Sequence, residues 1–462
     1  MGLISSLGAG KAMTQIEPTS TQITAEESSR TYEEEDFVPP LFEEMSSVAK
    51  PIGRPVCIVL PKREDDSFVH SIAIICREIY RIVEKEGRPR PRWISKRLKE
   101  EIERDLRAEG MTFVVDDSNR ELLPDLGKIQ SCKEFLEKID MGMILDRLRE
   151  FFSQGTGFVI FHVNEKWASR FANLLEEKVG AFANIIEIRA PNWHPQAKAV
   201  VARACWGFVE EEGRTFDEMF GRCEKRFFEE LERAREEFGL YIRGDEGAGY
   251  EHEGMKAIVV ECLARELGAK SRDEALQMLK EGKIKTEHDL SNGKRADVYV
   301  LPERRYVEVE TFYGTGDPII DKLDRETLSK YKGRTSRVDV VLLTGVQALL
   351  YARRLVKLAE VYRKEQGLEV NFYLPDLRKR KLIPLKQVLR MLREAVASSR
   401  PVMLTEGDLE KLRTEFSKAL RERGMDPEAE EYKRLFKIMV VRSKSYQENL
   451  RWMQEEIESL KK

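Results

Sequence analysis

Short apolar runs of strand length alternate with longer stretches whose apolar residues recur at helical spacing, and this alternation restricts the chain to layered α/β architectures. Val56–Leu60, Met111–Val115, Phe158–Val163 and Ile185–Ile188 have the length of strands, whereas Val69–Val83 and Lys166–Glu177 have the spacing of helices. Strands that alternate with amphipathic helices favour a mainly parallel sheet, because parallel neighbours need a crossover and the crossover helix covers a sheet face. Residues 51–209 are therefore read as an α/β domain. The chain has 462 residues, enough for two or three domains with sizeable cores.

Residues 1–50 are polar, then acidic, and end near two prolines, which predicts a poorly ordered tail. Leu7-Gly8-Ala9-Gly10-Lys11-Ala12 has the look of a phosphate loop but lacks its first glycine, and Ala12 stands where a Ser or Thr belongs. Residues 210–243 read as a charged bridging helix with Phe216, Phe220, Phe227, Leu231 and Phe238 on its packing face. Gly244, Gly247 and Gly249 then break the chain. Residues 244–383 follow as a second unit, in the order helix (Glu251–Leu267), strands (Lys283–Asp289, Ala296–Leu301, Arg305–Thr311), helix (Pro318–Lys332), strand (Val338–Thr344), helix (Val346–Glu365) and strand (Glu369–Leu374). Residues 384–462 read as a charged, helical C-terminal region whose end is suited to pairing with another helix.

Charge gives no global preference for a partner, since 79 Lys and Arg nearly cancel 82 Asp and Glu. Partners must be argued locally. Arg90, Arg92 and Trp93 combine guanidinium groups with an aromatic ring, and Arg378, Lys379 and Arg380 form a second basic segment; both suit a DNA backbone, against the plainer reading of solvated loops. Six cysteines without a C-x-x-C pair, and no apolar run of about 18 residues, predict a reduced cytoplasmic protein with no membrane span. Thr112–Asp117 resembles a strand ending in the acids of an ATPase, but without a phosphate loop it reads as a strand and a polar turn, or as a degenerate ATPase-like domain.

The most informative stretch is Arg295-Ala296-Asp297-Val298, a turn, then Val307-Glu308-Val309-Glu310-Thr311. Side chains at i and i+2 of a strand share a face, so Glu308 and Glu310 project together, and hairpin pairing brings Asp297 beside them. Three converging carboxylates raise at least one pKa unless a divalent cation neutralises them, and an all-oxygen set suits Mg²⁺ or Mn²⁺. The plainer alternative is a solvated sheet face.

These residues resemble the PD-(D/E)XK nuclease superfamily, and with Glu251-His252-Glu253-Gly254-Met255-Lys256 and Gly314-Thr315-Gly316-Asp317-Pro318 they resemble archaeal restriction-endonuclease-like domains over roughly residues 245–375. The resemblance implies a restriction-endonuclease-like α-β-β-β-α-β core between the N-terminal α/β domain and the helical C-terminal region. It implies a metal-dependent DNA endonuclease that hydrolyses phosphodiester bonds, with Asp297 and Glu308 as Mg²⁺ or Mn²⁺ ligands and Glu310 and Glu251 completing the catalytic set. Glu287 is a further ligand candidate. Glu310 stands where the family usually carries Lys; Lys294, Lys322 and Lys330 are the candidates to supply that ammonium. The competing reading is a catalytically inactive nuclease fold serving as a DNA-binding or assembly module, with a protein partner or self-association through the N-terminal domain or the C-terminal helices.

Overall fold

The computed structural model describes residues 37–47, 56–62, 67–83, 91–94, 112–116, 126–152, 157–188, 193–242, 249–290, 293–314, 319–396, 404–440 and 446–459. Leu7–Ala12, Arg90 and Thr315–Pro318 lie outside these, and of Arg92 and Trp93 only the backbone is described.

Five strands form the first sheet: β1 Val56–Lys62, β2 Pro91–Ile94, β3 Thr112–Asp116, β4 Phe158–Asn164 and β5 Asn184–Glu187. All neighbours are parallel, in the order β2-β3-β4-β1-β5. Its helices are α1 Pro40–Ser46, α2 Val69–Val83, α3 Cys132–Lys138, α4 Met141–Phe152 and α5 Glu165–Val179. The central strands β1 and β4 are apolar and buried almost end to end, as sheet strands covered on both faces must be. The basic segment around Arg92 and Trp93 is thus an edge strand, where a loop was the plainer expectation.

Two helices, α6 Pro195–Cys205 and α7 Phe216–Phe238, lead to the second sheet, which α8 Tyr250–Glu266 and α9 Arg272–Lys280 precede. Its strands are β6 Ile284–Asp289, β7 Arg295–Val300, β8 Arg305–Glu310, β9 Arg337–Leu342, β10 Glu369–Asp376 and β11 Lys381–Pro384, in the order β11-β10-β9-β8-β7-β6. The β6-β7-β8 meander and the β10–β11 pair are antiparallel, whereas β8, β9 and β10 run parallel. Between β8 and β9 lies a short helix α10 Ile319–Lys322 that continues as a π turn (Leu323–Thr327) and a 3₁₀ turn (Leu328–Tyr331), in place of the single regular helix that the sequence predicts. Helix α11 Gly345–Val361 connects β9 to β10. The C-terminal region adds α12 Leu385–Val396, α13 Glu406–Arg421, α14 Glu430–Met439 and α15 Tyr446–Ser459.

One apolar core runs from Val56 in β1 through α2, α6, α7 and α8 into the second sheet and on to Val396. The predicted bridging helix α7 is therefore interior, with Phe216, Phe220, Phe227, Leu231 and Phe238 all buried. Within the expected tail, α1 buries Leu41, Phe42 and Met45 and packs on α11. Its spacing of apolar side chains supplies a packing face that the polar and acidic flanks obscure. A second core lies on the other side of the first sheet and joins Cys57, Val159 and Phe171 to Leu412, Phe416, Phe436 and Ile457 of the C-terminal helices. The end of the chain pairs with a helix of its own, α15 against α13, and the Glu456 carboxylate accepts from the Cys132 amide at 2.8 Å.

Gly345 opens α11 where the backbone of Ala204 in α6 passes closest, and a Cβ there would collide with the Ala204 carbonyl oxygen. Gly345→Ala should therefore destabilise the fold by about 1–3 kcal/mol, the ordinary cost of overpacking, and chemical denaturation measures it.

Candidate functional site

The carboxylates sit where strand register puts them. Val298 pairs with Val307 and Tyr299 with Tyr306, so the β7–β8 register continues to set Asp297 opposite Glu308. Val307 and Val309 fill the apolar core, while Glu308 and Glu310 occupy the alternate positions yet are 2% and 6% exposed. That burial contradicts a solvated sheet face and demands partners for each acid.

Each acid has partners. Glu308 accepts from Lys330 Nζ at 2.8 Å and from the Tyr331 hydroxyl. Glu310 accepts from the Thr327 hydroxyl and lies 3.2 Å from Lys322 Nζ. The segment between β8 and β9 therefore supplies four donors to the two glutamates, Lys322 from the end of α10 and Thr327, Lys330 and Tyr331 from the π and 3₁₀ turns. On the other flank, Asp297 accepts from the Val309 amide at 2.7 Å, and its second oxygen lies 3.5 Å from His252 Nε2 and 3.6 Å from Lys256 Nζ. Lys256, 1% exposed in α8, also pairs with Glu287. Glu287 adopts φ 51° inside β6, a backbone region costly for a non-glycine residue, and there its carboxylate turns toward α8.

Electrostatics separates the two opposed acids. Burial, then the charge of Asp297, pushes Glu308 well above the ordinary carboxylate range against the pull of Lys330 and Tyr331. Burial works in the same direction on Asp297, but His252, Lys256 and the Val309 amide outweigh it and hold that acid far below its usual value. Desolvation opposes the charge of Lys330, yet Glu308, Asp297 and Glu310 together raise its pKa. Lys330 thus bonds Glu308 and lies in the field of all three acids, with Lys322 facing Glu310 and Lys256 facing Asp297.

A depressed folded pKa gives stability that is complete above the unfolded value near 3.8 and is lost as the pH falls through the folded value. Asp297→Asn should accordingly cost most near neutrality, with its melting temperature converging on that of the native chain in acid. Thermal denaturation from pH 2.5 to pH 7 checks this.

The remaining predicted residues are placed as follows. Glu251, in the first turn of α8, pairs with Arg81 of α2. Arg81 also pairs with the buried Glu78 at 3.2 Å and stands 3.8 Å over the Tyr313 ring, so this acid is tied to the first sheet's layer. Lys294 is exposed on the β6–β7 turn. Arg378 pairs with Glu210 and Lys379 is exposed, but Arg380 turns inward to Glu230 and Glu261, because the β10–β11 hairpin folds it onto α7 and α8. Arg380 is thus half-buried and paired with acids of its own chain.

Sequence reasoning missed Lys256, Thr327 and Tyr331 as members of the site. A signal for Lys256 was present: a lone Lys inside the long apolar stretch Met255–Ala264, four residues after His252 and so on the same helix face. Thr327 and Tyr331, four residues apart, fall on one face of the helix that the sequence predicts, but nothing local ties that face to the acids.

By donor type the three acids fit a hard divalent cation. In their present packing the lysine ammonium groups supply the neutralising charge, and among the described residues no group of three or more His, Cys, Asp or Glu side chains is arranged to hold a metal. An incoming cation therefore competes with Lys330 and Lys322. No helix among the described residues is long and apolar enough to cross a membrane. Compared with protein-family models, with curated proteins and with solved structures, the chain matches none.

Proposed function

We propose that the chain is a nuclease-type DNA-processing protein that hydrolyses phosphodiester bonds at the Asp297–Glu308–Glu310 site with Mg²⁺ or Mn²⁺ as cofactor, on a restriction-endonuclease-like core. The observation that carries this reading is the opposition of a half-buried Asp297 and a buried Glu308 on neighbouring strands, the first faced by Lys256 and the second bonded by Lys330. The topology of a β6-β7-β8 meander, a helical segment and the parallel strand β9 supports it.

Asp297 and Glu308 would hold the ion, and Glu310 would take a proton from the attacking water. The bound ion would supply Lewis-acid polarisation of the phosphate and a lower pKa for that water. Lys330 takes the part of the motif lysine that Glu310 displaces: its side chain reaches Glu308 from the turn before β9 and stays charged there. A lysine so placed stabilises the negative charge that builds on a phosphate oxygen during attack.

A second reading, a non-catalytic DNA-binding or assembly module, draws on one observation. Every acid of the site is already matched by a donor or cation of the protein itself. Cleavage of labelled single-stranded, duplex and branched oligonucleotides with Mg²⁺ or Mn²⁺, native chain against Asp297→Asn, separates the two. Equal absence of cleavage in both proteins on all substrates would exclude the enzyme and leave the module.

A further inference from the structure

We propose that the face of the second sheet bearing His288, Tyr299 and Tyr306 is a binding strip for single-stranded DNA. The strip rests on the nuclease reading only for its destination, the Glu308 carboxylate, and not for binding itself.

The rings form a row across three adjacent strands. His288 of β6 stacks on Tyr299 of β7 with centroids 4.2 Å apart and planes 11° from parallel. Tyr299 lies 4.9 Å from Tyr306 of β8, and Tyr306 lies 5.4 Å from Tyr331, whose hydroxyl bonds Glu308. The row thus ends at the acidic site. It is built on purpose by backbone: Lys285 pairs in register with Tyr299, so strict alternation would turn His288 to the opposite face, and the positive φ at Glu287 brings its ring back. His288 and Tyr306 are half-buried and offer ring surface to solvent, while Tyr299 (8% exposed) and Tyr331 support them from within.

Charge agrees with the rings. Lys285, Arg295 and Arg334 are exposed around the row, against the single exposed acid Asp289 within β6. Burial and the nearby Lys285 lower the pKa of His288 despite Asp289, so near neutrality it stacks as an uncharged ring. Aromatic side chains beside cations are the arrangement that holds unpaired bases by stacking and their phosphates by charge. Duplex DNA keeps its base faces inside the helix, so the rings select single strands.

The test is fluorescence anisotropy of a labelled 15-residue oligo(dT) with the full chain, in EDTA so that cleavage does not enter. Tyr306→Leu and His288→Ala should each weaken binding by roughly 5- to 100-fold, the effect of losing one stacked base. Lys285→Glu, an exposed change that leaves the core alone, should also weaken binding and flatten the dependence of log K on log salt by about 0.7 or more. A duplex of equal length should bind at least about ten-fold more weakly. Native-like affinity in Lys285→Glu and in the folded ring variants, or a preference for the duplex, overturns the strip. Intact single-strand binding without any cleavage leaves it standing and removes the nuclease reading instead.

Discussion

Lys256→Met is expected to destabilise the protein by about 3–5 kcal/mol, the range for removing one partner of a buried ion pair and stranding the other. Lys256 is 1% exposed and Glu287 is 7% exposed, and the same ammonium also faces Asp297. Met matches the length of the lost side chain, so little of the cost comes from a cavity. Two carboxylates would then share a site with His252 as the remaining cationic candidate from α8. Adding Glu287→Gln to the variant removes the stranded charge and should recover at least half of the loss. Urea denaturation of the three proteins decides it, and a loss below about 1 kcal/mol for the single variant would show that water reaches the pair.

On the nuclease reading proposed above, Asp297→Asn should reduce phosphodiester cleavage by on the order of 10²–10³-fold or more, the effect of losing several kcal/mol of transition-state stabilisation at a residue that would hold the cation. The substitution is chosen because Asn retains a carbonyl oxygen to accept the Val309 amide, so the β7–β8 junction keeps its 2.7 Å hydrogen bond. What is lost is the charge. Loss of cleavage at neutral pH, at a temperature where circular dichroism shows the variant still folded, would assign the effect to chemistry and not to unfolding. Unchanged cleavage would remove Asp297 from the site.

How much of this was legible depends on whether a feature lives in local pattern or in tertiary contact. Helix α2 was read residue for residue because Ile72, Ile75, Cys76, Ile79 and Ile82 recur at helical spacing. The β7–β8 hairpin and its opposed acids were readable because period-two alternation fixes both face and register. Strand β2 was not, since Pro91-Arg92-Trp93-Ile94 is four residues long and flanked by charge, and only pairing with β3 makes it a strand. Helix α9 was passed over although Ala275, Leu276 and Leu279 recur at helical spacing behind the Ser271 cap, because nine residues give only a short stripe, of which Ala275 alone is fully buried. The donors of the site came from two directions that strand pattern cannot reach. Lys256 looks solvated until α8 is docked, and Thr327 and Tyr331 reach Glu310 and Glu308 only because the segment before β9 leaves the regular α path.

The return of α13, α14 and α15 to the far side of the first sheet has a consequence for how the chain is made. The last strand of that sheet ends at Glu187, but Ile457, which helps to seal it, emerges 270 residues later. At a synthesis rate of about 5–20 residues per second, the outer sides of α3 and α5, which α14 covers in the finished fold, stay open on the ribosome for roughly 15–50 s. During that interval the side of α5 that α14 later covers is the surface that a holding chaperone would meet, and a nascent chain stalled before residue 404 should be captured there while the completed protein is not.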